Sequence, residues 1–395
     1  MRQLVIIAML GFLLTGSTLA TEAEKIIIGE SFQLSSDVLD EERTLLVSLP
    51  ENYETSTERY PVLYLLDARS NFHHTTGTLR TLSRVGRLPE MIVISLVNTD
   101  RTRDLTPSPF TPDPDDEDGA PANMASAGGA DNLLDFFQQE LFPHVEKTYR
   151  TVPYRVLIGH SFGGLFAVHA LVNRPQSFNA YVAISPSLWW EDGELVDQAE
   201  ELFNSGKSLG PRTLFMSLAD EGGDMYAQYR RFEELLRYAA PEGLTWEAMM
   251  MEGDDHGSVT LRSTYHGLQT VYPRWRMPNF AEGFGAMQAH YEDLSQRYGY
   301  EIPLPEGTVN QMGYRLLGQE KFDEAIQAFQ FNTEHYPESA NVYDSLGDGF
   351  DAAGKHEEAF KSYGRACELA EKTEHPNLEV YCGNRDRLRE KLQEP

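Results

Sequence analysis

The chain has 395 residues, of which 41% are hydrophobic and 24% charged. At about 150 residues per domain this makes two to three domains with ample core, and it excludes a disordered, collagen-like or multi-span membrane chain. Its 33 basic and 61 acidic residues leave a net charge of −28, which repels nucleic-acid phosphates and anionic lipid alike, so neither is an expected partner.

In chain order, residues 1–20 read as a signal peptide. Arg2 gives a positive start, Leu4 to Leu14 is an apolar run, and Thr18 and Ala20 hold the −3 and −1 places of a cleavage site. The run is too short to span a bilayer comfortably, and no later stretch is long and apolar enough to do so. The expectation is an exported protein, periplasmic or secreted, with no membrane span after cleavage near Ala20.

From Ile26 to His256, short β-rich runs alternate with helical stretches. The expected strands are Ile26–Ile28, Leu45–Leu49, Val62–Leu66, Ile92–Val97, Val156–Ile158, Val182–Ile184, Leu214–Leu218 and Ala248–Met251. Several are continuously apolar, as suits a sheet covered on both faces. In Asp131–Tyr149, the residues Leu134, Phe137, Leu141 and Val145 fall on one helical stripe. Strands alternating with helices imply an α/β fold with a mainly parallel sheet. The segment Thr106–Gly129 breaks the rhythm. It reads as a surface loop, because the acidic run from Asp113 has Asp118 where a calcium loop needs Gly.

After Arg276 the strand-like runs stop. Gly313 and Gly347, Ala325 and Ala359, and Phe329 and Tyr363 recur at a spacing of 34, and Pro337 closes the first unit. This resembles the tetratricopeptide repeat over about 306–370, although Val309 stands where that repeat usually has an aromatic. Two repeats are too few to bury a continuous core, so Phe280–Tyr298 and Leu378–Leu392 are expected to flank them, or the array to pack on the first domain. The expected organisation is residues 1–20 signal peptide, 21–276 α/β domain and 277–395 helical domain. Two cysteines, Cys367 and Cys382, exclude a disulfide scaffold and a zinc ribbon. Reduced and buried is the favoured reading; pairing in an oxidising compartment, the alternative, would close a loop of about 15 residues worth at most about 3 kcal/mol.

The chemistry centres on Gly159-His160-Ser161-Phe162-Gly163, a G-x-S-x-G directly after an apolar strand and before a helix. A serine exposed on so tight a turn leaves no room for bulky side chains two residues either side, and the turn aims N–H groups and the helix dipole at whatever the serine attacks. A hydroxyl needs a base. His256 follows the last strand, in the chain order Ser, acid, His, and Gly257 lets its loop turn back. Among the other histidines, His169 is mid-helix, His266 lies later, His160 sits within the turn, and His73 and His74 come too early. The acid belongs after Leu214–Leu218, where spacing leaves Asp220, Glu221 and Asp224 open. Oxyanion donors are expected from the N–H of Phe162 and of Arg69, in the loop after Val62–Leu66.

The stretches Tyr60-Pro-Val-Leu-Tyr-Leu-Leu-Asp, Gly159-His-Ser-Phe-Gly-Gly, Ser185-Pro-Ser-Leu-Trp-Trp and Asp255-His-Gly-Ser make residues 45–272 similar to the putative-esterase family of α/β hydrolases. That family holds siderophore esterases, S-formylglutathione hydrolases, feruloyl esterases and mycolyltransferases. The resemblance implies an α/β-hydrolase fold and a serine esterase with no cofactor and no metal. Its siderophore-esterase branch, where Glu precedes paired Gly, implies Glu221 as the acid. The family usually has Gly where this chain has Ala68, which bears on Arg69.

Trp189 and Trp190, after Val182–Ile184, are candidates to stack on substrate, with core filling of equal standing. Arg101 and Arg103 follow another strand end and are candidates for an anionic group, although for Arg103 a structural pairing with Asp104 is the favoured reading. The expected function is an exported serine esterase acting on a small or medium ester through an acyl-enzyme on Ser161. Alternatives are an acyltransferase of the same fold, or a protein that holds a peptide or protein partner, or a second copy of itself, through the repeats.

Overall fold

The computed structural model describes residues 25–112, 121–277 and 282–393. The expected signal peptide, with Thr18 and Ala20, the acidic run 113–120 and the junction 278–281 lie outside them.

Eight strands form one sheet in the order β1-β2-β4-β3-β5-β6-β7-β8. They are β1 (Glu30–Ser36), β2 (Glu41–Ser48), β3 (Tyr60–Leu65), β4 (Ile92–Leu96), β5 (Thr151–His160), β6 (Ala180–Ile184), β7 (Arg212–Leu218) and β8 (Leu244–Met250). The β1/β2 and β2/β4 pairs are antiparallel and all others parallel. The sequence expectation of a mainly parallel sheet holds. The apolar strands β3, β4 and β6 are buried along their whole length, as runs covered on both faces should be. One strand differs. Ile26–Ile28 is not paired, and β1 starts at Glu30, where Phe32 and Leu34 alternate with polar residues on an edge strand.

The helices of the first region are α1 (Ala68–Arg84), α2 (Arg101–Leu105), α3 (Ala130–Phe136), α4 (Phe142–Thr148), α5 (Phe162–Asn173), α6 (Glu194–Asn204), α7 (Gly223–Ala239) and α8 (Val259–Val271). A π-helical turn, Phe137–Leu141, joins α3 to α4, so the expected Asp131–Tyr149 helix is one run with an irregular middle. Leu133, Leu165, Leu195 and Phe232 bring α3, α5, α6 and α7 to one face of the sheet. Phe72, Leu79, Val259 and Leu268 bring α1 and α8 to the other. The core is thus two layers either side of the sheet, and strand ends are left free at its rims.

The rest is helical: α9 (Phe284–Tyr298), α10 (Glu306–Gly318), α11 (Phe322–His335), α12 (Ala340–Ala352), α13 (His356–Thr373) and α14 (Leu378–Gln393). A Cβ on Gly313 in α10 would overlap the ring of Phe329 in α11, and one on Gly347 in α12 would overlap Tyr363 in α13. The same close contact therefore recurs 34 residues on, which is the physical content of the repeat. Helix α9 faces both ways. Leu294 and Tyr298 join the sheet-side core, while Phe284 and Met287 join the helical core. The Tyr298 ring sits 5.3 Å from Tyr154 at the start of β5 and 5.2 Å from Tyr272 after α8. At the far end a disulfide joins Cys367 to Cys382, pinning α14 to α13. Glu371 stands beside it, but the bonded sulfurs have no thiolate to offer a metal. Among the described residues no helix is long and apolar enough to cross a membrane.

Candidate active site

β5 delivers Ser161 to the carboxyl end of the sheet and α5 begins at the next residue. The serine backbone is forced to φ 60°, ψ −117°, a conformation that a side-chain-bearing residue adopts only under constraint. The constraint is visible. Ser161 N–H donates to Ile184 O at 2.9 Å and Ser187 N–H donates to Ser161 O at 3.2 Å, so the neighbouring β6 loop holds both sides of the turn. A Cβ on Gly159 would overlap the Gly163 carbonyl, and one on Gly163 would crowd the Asp67 carboxylate. The glycine requirement read from the sequence is a backbone-on-backbone approach. Phe162 N–H opens α5 and Arg69 N–H lies in the first turn of α1, where N–H groups have no helical acceptor.

The loop after β7 and the loop after β8 meet beside this turn. His256 Nδ1 and Glu221 Oε1 are 2.5 Å apart, with Glu221 largely buried and the imidazole 44% exposed. Of the three acids left open by spacing, Glu221 is the one on the histidine. Asp220 accepts from Gly253 N–H at 2.7 Å and so ties the two loops together. Asp224 is exposed in the first turn of α7. His256 is not hydrogen-bonded to Ser161 in this state; the serine Oγ lies 3.4 Å from Ser187 Oγ. Such bonds often tighten only when substrate is bound. The His160 ring stacks obliquely on His256 at 4.6 Å. Burial, with His256 next to it as a second cause, pushes His160 down to about 4, so it is a neutral neighbour at pH 7.

The remaining candidates separate. Trp190 is buried, with its ring edge-on to Phe162 at 5.4 Å and its indole N–H donating to Ser108 Oγ at 3.2 Å. It fills core. Trp189 is half-buried and 6.2 Å from the Phe162 ring, so it is the tryptophan with a surface to offer. Arg103 is bound to Asp104 Oδ1 and to Glu41 Oε1, each at 2.7 Å, which is the structural pairing. It is not a free cation at the site. Arg69 carries its side chain outward, and only its N–H is in question. Sequence reasoning passed over Ser187, 26 residues from Ser161 and brought to it only by the β5/β6 register. It also passed over the Asp67–Arg101 ion pair, at 2.7 Å. His169 is a satisfied core histidine, between Asp131 and Asn173. A groove of about 820 Å³ lies elsewhere, between Tyr60 at the start of β3, Trp275 and Tyr300, at the opposite end of the strands from Ser161.

Comparison with known proteins agrees with this fold. The family model described as Putative esterase matches residues 36–213, a span that contains Ser161 and ends before Glu221 and His256. A siderophore enterobactin esterase of Emericella nidulans is 36% identical over 173 residues, which are 40% of this chain and 56% of the relative. The chain thus spans little more than half the length of that relative. The ferri-bacillibactin esterase BesA of Bacillus subtilis is 29% identical over 217 residues, covering 51% of this chain and 74% of the relative. Among solved structures, an IroE-like serine hydrolase from Shewanella oneidensis superposes with a TM-score of 0.70 at 29% identity, over 78% of this chain and 99% of that one. Through residues 36–213 the chain is similar to the family described as Putative esterase, on the mainly parallel sheet of an α/β hydrolase.

Proposed function

We propose that this protein is an exported serine esterase of the siderophore-esterase kind. The observation that carries the reading is the approach of Glu221 and His256, 2.5 Å apart, to the strained Ser161 turn. In the mechanism, His256 takes the Ser161 proton as Oγ attacks an ester carbonyl. Glu221 holds the imidazole tautomer and balances its charge, and the N–H groups of Phe162 and Arg69 meet the oxyanion. The alcohol leaves with the proton from His256, and water resolves the acyl-enzyme by the same path. Export rests on the pattern of residues 1–20, and the helical region is read as a pair of tetratricopeptide-like repeats. The names of the relatives support a siderophore ester as substrate.

The test is hydrolysis of nitrophenyl esters and of a tri-ester siderophore by protein beginning at Thr21, beside Ser161→Ala. The native chain is expected to turn over both classes, and the variant to lose about 10³-fold or more in kcat. Equal activity in the two proteins rejects Ser161 as nucleophile. Release of acyl groups only in the presence of an alcohol acceptor would favour a transferase.

A further inference from the structure

Resting on the Ser161 reading above, we propose that Arg101 is a positioning residue that sets the separation of the two oxyanion donors. The two N–H groups belong to different chain segments. Arg69 lies at the start of α1 after β3, and Phe162 at the start of α5 after β5. Nothing covalent fixes their spacing, and donors must stand about 2.7–3.1 Å from the oxyanion to stabilise it.

Arg101 touches both arms. Its Nε donates to Asp67 Oδ1 at 2.7 Å and its Nη2 to Asp67 Oδ2 at 3.0 Å. Asp67 is the residue before α1, held in a left-handed conformation at φ 55°, and its carbonyl accepts from the N–H groups of Ser70 and Asn71. Fixing Asp67 therefore fixes the first turn that carries Arg69. The same Nη2 donates to the carbonyl of His160 at 3.1 Å, the peptide that leads into Ser161. The guanidinium also lies over the ring of Phe162, 5.4 Å from its centroid. One planar fork thus grips the α1 side through a carboxylate and the α5 side through a carbonyl and a ring. Asn98 Nδ2 donates to Asp67 Oδ1 at 2.6 Å and completes the carboxylate's shell. A lysine has the charge but not the fork and cannot reach both sides at once.

The Nε and Nη2 donors are spent on protein groups, so loss of the side chain is expected to act on kcat and leave substrate affinity alone. The test uses the full chain from Thr21 and two readouts: nitrophenyl ester kinetics, and the rate at which a fluorophosphonate labels Ser161, followed by intact mass. Arg101→Met is expected to lower kcat and the labelling rate by about 100-fold with KM within about threefold, because small misplacements at a reacting centre cost that much. Arg101→Lys is expected to recover less than about tenfold. Removing the arginine alone strands a buried carboxylate, so Arg101→Met combined with Asp67→Asn is made as well and is expected to show the same kcat loss. In Arg101→Ala, added guanidinium is expected to raise kcat, which it does not do for the native chain.

Unchanged kcat in Arg101→Met, with labelling lost in Ser161→Ala, overturns the role of Arg101 alone. A raised KM at constant kcat overturns it in favour of substrate contact. Loss of near-ultraviolet dichroism in both the single and the double variant overturns it in favour of a purely structural role. Labelling that is absent from the native chain, or that persists in Ser161→Ala, overturns the Ser161 reading and this inference with it.

Discussion

The two halves of the molecule use glycine for opposite ends. At the candidate site, Gly159 faces the backbone of Gly163, and Ser161, Asp67 and Ser185 are all held at positive φ around it. In the helical region, Gly313 faces the ring of Phe329 and Gly347 the ring of Tyr363, inside regular helices. A ring on a side chain can turn aside, whereas a backbone pinned by strand and helix cannot. The first arrangement stores strain to present one hydroxyl; the second repeats an unstrained contact to build a surface. Strain of this kind, of order 1–3 kcal/mol per residue, persists only where the surroundings over-determine it. Here the surroundings are the β6 loop, which holds Ser161 through two backbone hydrogen bonds, and the Asp67 shell.

The comparison breaks first at Glu221. Glu221→Gln keeps the shape but not the charge that orients His256, and is expected to lower kcat by about 10³–10⁴-fold with little change in melting temperature. Asp224→Asn, on an exposed carboxylate two residues past Gly222, is expected to stay within about threefold. Steady-state kinetics on both decide which acid works with the histidine. Equal losses in the two would remove Glu221 from its assigned role.

Alanine at the two kinds of glycine sharpens the contrast. Gly159→Ala forces two backbones apart and is expected to abolish fluorophosphonate labelling of Ser161. Gly313→Ala presses a methyl group on Phe329, which is expected to cost about 1–3 kcal/mol of stability by overpacking while kcat stays within about twofold. Thermal melts read beside ester kinetics separate the two effects. A Gly313→Ala variant that loses kcat would show that the helical region feeds into the site.

Much of this was legible in the sequence because the signals are local. Seven of the eight strands fall on apolar runs, and the Gly159–Gly163 turn and the 34-residue repeat are each written in one stretch of chain. The first strand was misplaced because the apolar triplet Ile26–Ile28 outweighs the half-polar Glu30–Ser36, although an edge strand needs only one buried face. The choice among Asp220, Glu221 and Asp224 was not legible from spacing, because three acids on one loop differ only in where the loop turns. Arg101 and Asp67 were unreadable as a pair. They lie 34 residues apart, Arg101 opening α2 after β4 and Asp67 just after β3, and only the adjacency of those strands makes them meet.

The smallest predicted effect concerns pH, where the two regions respond with opposite sign. His160 is pushed down to about 4, chiefly by burial, so the neutral form is the folded one. Its contribution is present above the ordinary histidine value and is lost as pH falls toward 4. Asp344 in α12 is pushed up to about 6, chiefly by burial, against the opposing hydrogen bond from Asn384 Nδ2 at 3.0 Å. The folded state therefore holds that proton more tightly than the unfolded chain. Its stability contribution is complete below the ordinary carboxylate value and lost as pH rises through 6. Asp344→Asn removes the charge while keeping an acceptor for Asn384. The variant is expected to be more stable than the native chain by about 1–2 kcal/mol at pH 8, with the advantage gone at pH 4. Melting temperatures of both proteins at the two pH values decide it. An equal shift at pH 4 and pH 8 would mean that packing, and not the buried charge, sets the stability of α12 against α14.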